Sequence, residues 1–139
     1  MPRQPGGRAV NAHEELRALQ QRYARAADDR DLHALAEMFH PDAQITGARG
    51  THTLHEWLET MRGPRAFPTS MHLIADPLIV VNDGEDHATV DSYAVVFQLS
   101  EPGSGSSDLT LGIRYLDDVV VHRGHWVILR RQAHTLWMR

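Results

Sequence analysis

Residues 22–43, RYARAADDRDLHALAEMFHPDA, carry the reading that decides the fold. Upstream of and into this stretch, Leu16, Leu19, Tyr23, Ala26 and Ala27 recur at three-and-four spacing, which predicts a helix from about Asn11 with one apolar face. Asp29 or Asp31 can cap a second, short helix from Leu32 to Met38. Pro41 then stops the helix, because it has no amide hydrogen and steers His40 away from helical geometry. Ala43 to Thr46 follows as a short strand.

Further along, Gly47 to Gly50 reads as a turn, and Thr53 caps a helix containing Leu54, Trp57, Leu58 and Met61. Gly63, Pro64 and Pro68 make the next loop irregular. The second half changes period. Met71 to Val81, Ala88 to Leu99, Leu109 to His122 and Trp126 to Trp137 are rich in β-branched and aromatic residues, as strands are. Asn82-Asp83-Gly84, Glu101 to Asp108 and Arg123-Gly124 separate them with turn chemistry. Helices first and long antiparallel strands later predict an α+β fold with helices on one sheet face. The last strand is apolar on both faces, with Trp126, Ile128 and Leu136 on one and Val127, Leu129 and Trp137 on the other. Either helices cover one side and a second subunit the other, or the sheet curls around a pocket; both are expected, with a homodimer, the commonest closed assembly, or a higher homo-oligomer.

The chain of 139 residues reads as a flexible tail over residues 1–10 and one domain over 11–139. It contains no cysteine, which excludes disulfides and thiolate chemistry. Its net charge of −4, with acids and bases interspersed, offers no basic stripe for nucleic acid. No apolar run approaches the roughly 20 residues of a bilayer span, and residues 1–8 lack a hydrophobic signal core. A cytoplasmic protein without a membrane partner is expected.

Several residues are candidates for chemistry. Alternation places His72 with Ser70, Ile74, Leu78 and Val80 on a mostly apolar strand face, where an imidazole can serve as a base near neutral pH. A core histidine bonded to a backbone carbonyl is the plainer reading of that residue alone. Asp28 falls beside the apolar stripe of the first helix, and an exposed acid paired with Arg25 explains it as simply. Tyr23 lies on the apolar face, and its hydroxyl needs a partner if buried. Asp91, Tyr93 and Phe97 share a strand face, where an acid among apolar neighbours must be paired. Arg131 shares its face with Val127, Leu129, Ala133 and Trp137 under simple alternation. If that face turns inward, the guanidinium must meet Asp28, Asp91 or a substrate anion. Trp57 and Tyr115 complete the expected substrate-contacting set with Asp91, Tyr93 and Phe97. The pairs His52/His55 and His122/His125 fall short of the three or four convergent ligands a zinc site needs, so no metal is expected.

Taken together, Tyr23 and Asp28, Phe39-His40-Pro41-Asp42-Ala43, Thr69-Ser70-Met71-His72, and Trp126 with Arg131 give a chain that resembles the SnoaL-like branch of the nuclear-transport-factor-two-like superfamily. That branch includes scytalone dehydratase, hexachlorocyclohexane dehydrochlorinase, bile-acid dehydratase, steroid isomerase, polyketide cyclases and small subunits of ring-hydroxylating dioxygenases. The resemblance implies a cone: a strongly curved antiparallel sheet wrapped around N-terminal helices and enclosing an apolar pocket. It also implies an Asp28–His72 dyad supported by Tyr23 and Arg131. The expected activity is cofactor-free lyase (dehydratase) or isomerase chemistry on a small hydrophobic cyclic or polycyclic substrate. A noncatalytic ligand-binding module, or the small subunit of an oxygenase-type complex, is the alternative.

Overall fold

The computed structural model describes residues 7–139, with side chains from Ala12 onward. Most of the expected tail lies outside the described residues. Helix α1 runs Gly7–Asp29 and α2 runs Leu32–Glu37. Strands β1 (Phe39–Gly47) and β2 (Gly50–Thr53) form a hairpin, followed by α3 (Leu54–Thr60). The remaining strands are β3 (Thr69–Ile74), β4 (Leu78–Val81), β5 (His87–Leu99), β6 (Leu109–His122) and β7 (His125–Met138).

The corner between the first two helices fixes everything downstream. Arg30 takes a left-handed backbone with φ 54°, and the Asp31 amide reaches back to the Ala26 carbonyl at 2.9 Å. That closes α1 in the manner usually reserved for glycine. Asp31 then caps α2 by accepting from the Ala34 amide. Thr53 and Glu56 form a reciprocal capping box at the start of α3.

The seven-stranded sheet has the order β2-β1-β7-β6-β5-β3, and β4 also pairs with β5. The α+β expectation holds, with two corrections to the strands. The expected single strand Met71 to Val81 is two, because Ala75-Asp76-Pro77 interrupts it and proline cannot donate to the ladder. The sheet is also not wholly antiparallel, since β1 runs parallel to β7. Pro41 ends the helix as expected yet lies inside β1, where residues 40–43 form an irregularity in the pairing with β7.

The inner face of the sheet packs on α1. Ala12, Leu16, Leu19 and Tyr23 meet Ala88, Val90, Ala94, Tyr115, Val119, Trp126 and Ile128 in one continuous core. On β5 the inward residues are the small ones, Ala88, Val90, Ser92, Ala94 and Val96. Small side chains let the helix approach the sheet closely.

A bulge in β7 changes which residues share that inner face. Asp118 pairs with Arg130, but the next residue on β6, Val119, pairs with Ile128. Leu129 is therefore the extra residue, and alternation is reset across it. Arg131 joins the face of Trp126 and Ile128, not that of Val127 and Leu129 as simple counting predicts.

Candidate active site

The end of α1 and the start of β3 bring two of the expected residues together. His72 Nδ1 lies 2.6 Å from Asp28 Oδ1. The backbone amide of His72 donates to Asp28 Oδ2, and Ser70 Oγ donates to Asp28 Oδ1, each at 2.9 Å. Ser70 in turn accepts from Arg65 Nη2. Arg25, the alternative partner for Asp28, bonds to Gln21 instead. A carboxylate is acceptor-only, so the short contact places the proton on His72 Nδ1 and leaves Nε2 as the free basic nitrogen. Ser70 and Arg65 were not singled out as members of this network, because their role depends on the chain crossing of α1 and β3.

Tyr23 adjoins the dyad. Its ring meets the His72 ring edge-on, with centroids 6.0 Å apart, and meets Tyr115 in the same way at 5.9 Å. The guanidinium of Arg131 lies over both phenol rings, 4.1 Å from Tyr23 and 4.3 Å from Tyr115. A cavity of about 280 Å³ opens beside them, lined by Tyr23, Trp57, Tyr115, Arg131, His52 and residues of β1. His72 and Asp28 line a separate recess between α1 and β3. The Tyr23 ring lies between the base and the aromatic cavity.

Arg131 is fully buried, and its counter-ion is neither Asp28 nor Asp91. Asp117, one strand away on β6, accepts from Arg131 Nε and Nη2 at 2.8 Å each, while Gln20 of α1 closes the network. Burial opposes the charge on Arg131, but Asp117 more than offsets it and raises the pKa above the usual arginine range. Burial likewise pushes the Tyr115 hydroxyl well above its ordinary value, with Tyr23 adding to the effect, so Tyr115 keeps its proton at neutral pH. An acid embedded in Tyr115-Leu116-Asp117-Asp118-Val119 was a signal for this buried pair that the sequence did carry.

Three expected pocket residues lie elsewhere. Asp91, Tyr93 and Phe97 occupy the outer face of β5, opposite α1. There Asp91 pairs with Arg114 at 2.9 and 2.5 Å, and Tyr93 is 55% exposed. Hydrogen bonds from Arg114 hold the Asp91 carboxyl below the usual carboxylate range. Among the described residues no group of three His, Cys, Asp or Glu side chains is gathered as for a metal. No helix among them is long and apolar enough to cross a membrane.

This fold, a curved sheet over N-terminal helices, has counterparts. Residues 8–132 match the SnoaL-like domain family, and the chain belongs to it. A candidate scytalone dehydratase from Novosphingobium aromaticivorans superposes with a TM-score of 0.85 at 20% identity, covering 95% of this chain and 89% of that one. A type 2 hexachlorocyclohexane dehydrochlorinase gives 0.83 at 12% identity, with coverage of 95% and 90%. A nuclear-transport-factor-two-like protein with a cystatin-like fold, also from Novosphingobium aromaticivorans, gives 0.79 at 22% identity, covering 93% and 84%. At these identities the likeness is one of fold. No curated protein has a significant sequence match to the chain.

Proposed function

We propose that the protein is a cofactor-independent acid–base enzyme, a dehydratase or isomerase acting on a small hydrophobic cyclic substrate. The observation that carries this reading is the 2.6 Å contact between His72 Nδ1 and Asp28 Oδ1, with two further donors fixing the carboxylate. Asp28 orients the imidazole and stabilises its cation. His72 Nε2 removes a proton from carbon beside a carbonyl, and Tyr23, Tyr115 and Arg131 supply donors for the oxyanion that develops. In a dehydration, the electron pair of the broken C–H bond forms the double bond and expels hydroxide from the neighbouring carbon. The proton held on Nε2 goes to that hydroxide, so water leaves and the histidine returns to its starting form. Returning the proton to a different carbon gives the isomerase variant. Trp57 and Tyr115 wall the cavity that holds the ring.

A positioned general base contributes about 10² to 10⁴ in rate. His72→Ala and Asp28→Asn should each lower turnover by at least about 10² while leaving the fold intact. The measurement is single-turnover conversion of a panel of β-hydroxy cyclic ketones, followed by mass spectrometry. Equal residual activity in His72→Ala removes the dyad mechanism.

One observation favours a noncatalytic alternative: the dyad and the aromatic cavity line separate recesses. Under that reading the cavity binds a ligand and His72 only ties β3 to α1. Stoichiometric ligand binding by a wild-type chain that converts none of the panel decides for it.

The same reading includes a homodimer. Leu73, Tyr93, Leu136 and Trp137 stand exposed together on the outer sheet face. A patch of this kind on a closed two-fold assembly is self-complementary. Sedimentation should show a dimer for the wild-type chain and a monomer for Leu136→Glu.

A further inference from the structure

The connection from α3 to β3 brings a third charged group to the Asp28–His72 pair. Residues 61–68 are irregular, with Gly63 left-handed at φ 93° and prolines at Pro64 and Pro68. They place Arg65 beside Ser70, whose hydroxyl oxygen accepts from Arg65 Nη2 at 3.3 Å. Alternation along β3 puts Ser70 and His72 on one face, and both side chains reach Asp28.

The donors in this chain run in one direction. A guanidinium only donates, and a hydroxyl has a single proton. With Arg65 donating to its oxygen, Ser70 turns that proton away from the guanidinium and onto Asp28 Oδ1, at 2.9 Å. The His72 amide holds the other carboxylate oxygen. Nothing among the described residues competes for Arg65. The arginine–carboxylate pairs there are made by Arg17, Arg62, Arg114 and Arg131. Arg25, close to Asp28 in sequence, donates to Gln21. Arg65 is half-buried, and its Nε is shielded from solvent without a partner. Its charge is felt in this corner: burial first, and then Arg65, lowers the Arg30 pKa from its ordinary value. A half-buried guanidinium with no carboxylate of its own thus has Asp28, one hydroxyl away, as the acid of its network.

We propose that Arg65 is a positioning residue for the base: acting through Ser70, it fixes the rotation of the Asp28 carboxylate and with it the aim of His72. The proposal deepens the function given above and rests on that reading for its catalytic consequence. The terminal torsion of an aspartate is broad, so a carboxylate tied to the imidazole alone can turn and take the ring with it. A misplacement of about 1 Å in a reacting group can cost about 10² in rate. Trp57 and Thr60 of α3 line the aromatic cavity, and Arg65 follows on the same segment. One stretch of chain therefore both walls the cavity and sets the base.

The test is proton NMR of the isotope-labelled full chain, following the Nδ1–H of His72, identified by its loss in His72→Ala. Wild type should show this proton downfield and in slow exchange with water. Arg65→Met keeps the apolar stem and removes the donors, and should speed the exchange about tenfold, as loss of one charge-assisted hydrogen bond implies. Ser70→Ala should do the same. The double variant should exchange no faster than Ser70→Ala alone, because Arg65 acts through the serine. Arg65→Lys retains charge and donor and should recover part of the slow exchange. If Arg65→Met fails to fold, Arg65→Gln gives the same reading, since its shorter side chain falls short of Ser70. For any ketone of the panel that is turned over, Arg65→Met should lower kcat about tenfold with KM unchanged. No His72 Nδ1–H signal in wild type, wild-type exchange in Arg65→Met, or additive effects in the double variant each overturns the proposal. The expected exchange pattern in a chain that converts none of the panel leaves the positioning of His72 by Arg65 standing and removes the lyase reading.

Discussion

Two bidentate arginine–carboxylate pairs bridge neighbouring strands of this sheet, one on each face. Arg131 and Asp117 join β7 to β6 on the inner face, with side-chain exposures of 1% and 0%. Arg114 and Asp91 join β6 to β5 on the outer face, with exposures of 41% and 26%. The chemistry is the same and the consequences differ. The outer pair is screened by water and salt, and each partner has an alternative in solvent. The inner pair has no alternative in solvent, so each charge depends on the other and on Gln20, which bonds both. Burial, not pairing geometry, decides how much each charge depends on its partner.

The comparison is most sharply tested by removing one inner charge. Asp117→Asn leaves a buried guanidinium without a counter-ion and should cost about 3–5 kcal/mol in urea unfolding. The double change Asp117→Leu with Arg131→Met should recover most of that loss, because the pair is retained for its geometry more than for stability. A single variant within error of wild type would show that water reaches the pair and that the two faces are alike.

A smaller effect comes from alkali. Burial raises the Tyr115 pKa in the folded state, so the unfolded chain loses its phenol proton first, near pH 10. Stability is then unaffected below about pH 10 and falls above it by up to about 1.4 kcal/mol per pH unit. Tyr115→Phe should flatten that fall, as read from urea midpoints between about pH 9 and 11. A parallel decline in both chains would mean the phenol is not held in its neutral form.

The smallest effect is expected on the outer face. Asp91→Asn should lower the urea midpoint at neutral pH only slightly, because water and salt screen the exposed pair. The depressed Asp91 pKa contributes only above the unfolded carboxyl value near pH 4, and its contribution is lost as pH falls through the folded one. A loss comparable to Asp117→Asn would show that the outer face is covered in solution, as it is if the homodimer seals it.

Much of this was legible beforehand, and what was not has identifiable causes. Strands β5 and β6 are plain from their β-branched content, and Asp31 as a cap follows from local chemistry. Periodicity did not select Asp28; only the family resemblance did, and the packing of α1 on β3 gives the reason. Asp91, Tyr93 and Phe97 were expected inside because the larger side chains of β5 share their face. Alternation tells which residues stand together but not which side is covered, and here the close approach of α1 reserves the inside for alanine, valine and serine. The partner of Arg131 depends on the register between β7 and β6, information that no single segment contains.

The extra residue at Leu129 has a further consequence for reading relatives of this chain. It acts as a parity switch: the residues of β7 from Arg130 to Thr135 have the opposite odd–even assignment from those before it, until a second extra residue, Leu136, switches it back. Aligning a relative without the bulge to this strand, gap-free, would pair inward positions with outward ones between Arg130 and Thr135. An apparent loss or gain of the arginine at position 131 would then be an error of counting by one. Any transfer of site residues along this strand has to locate the bulge first.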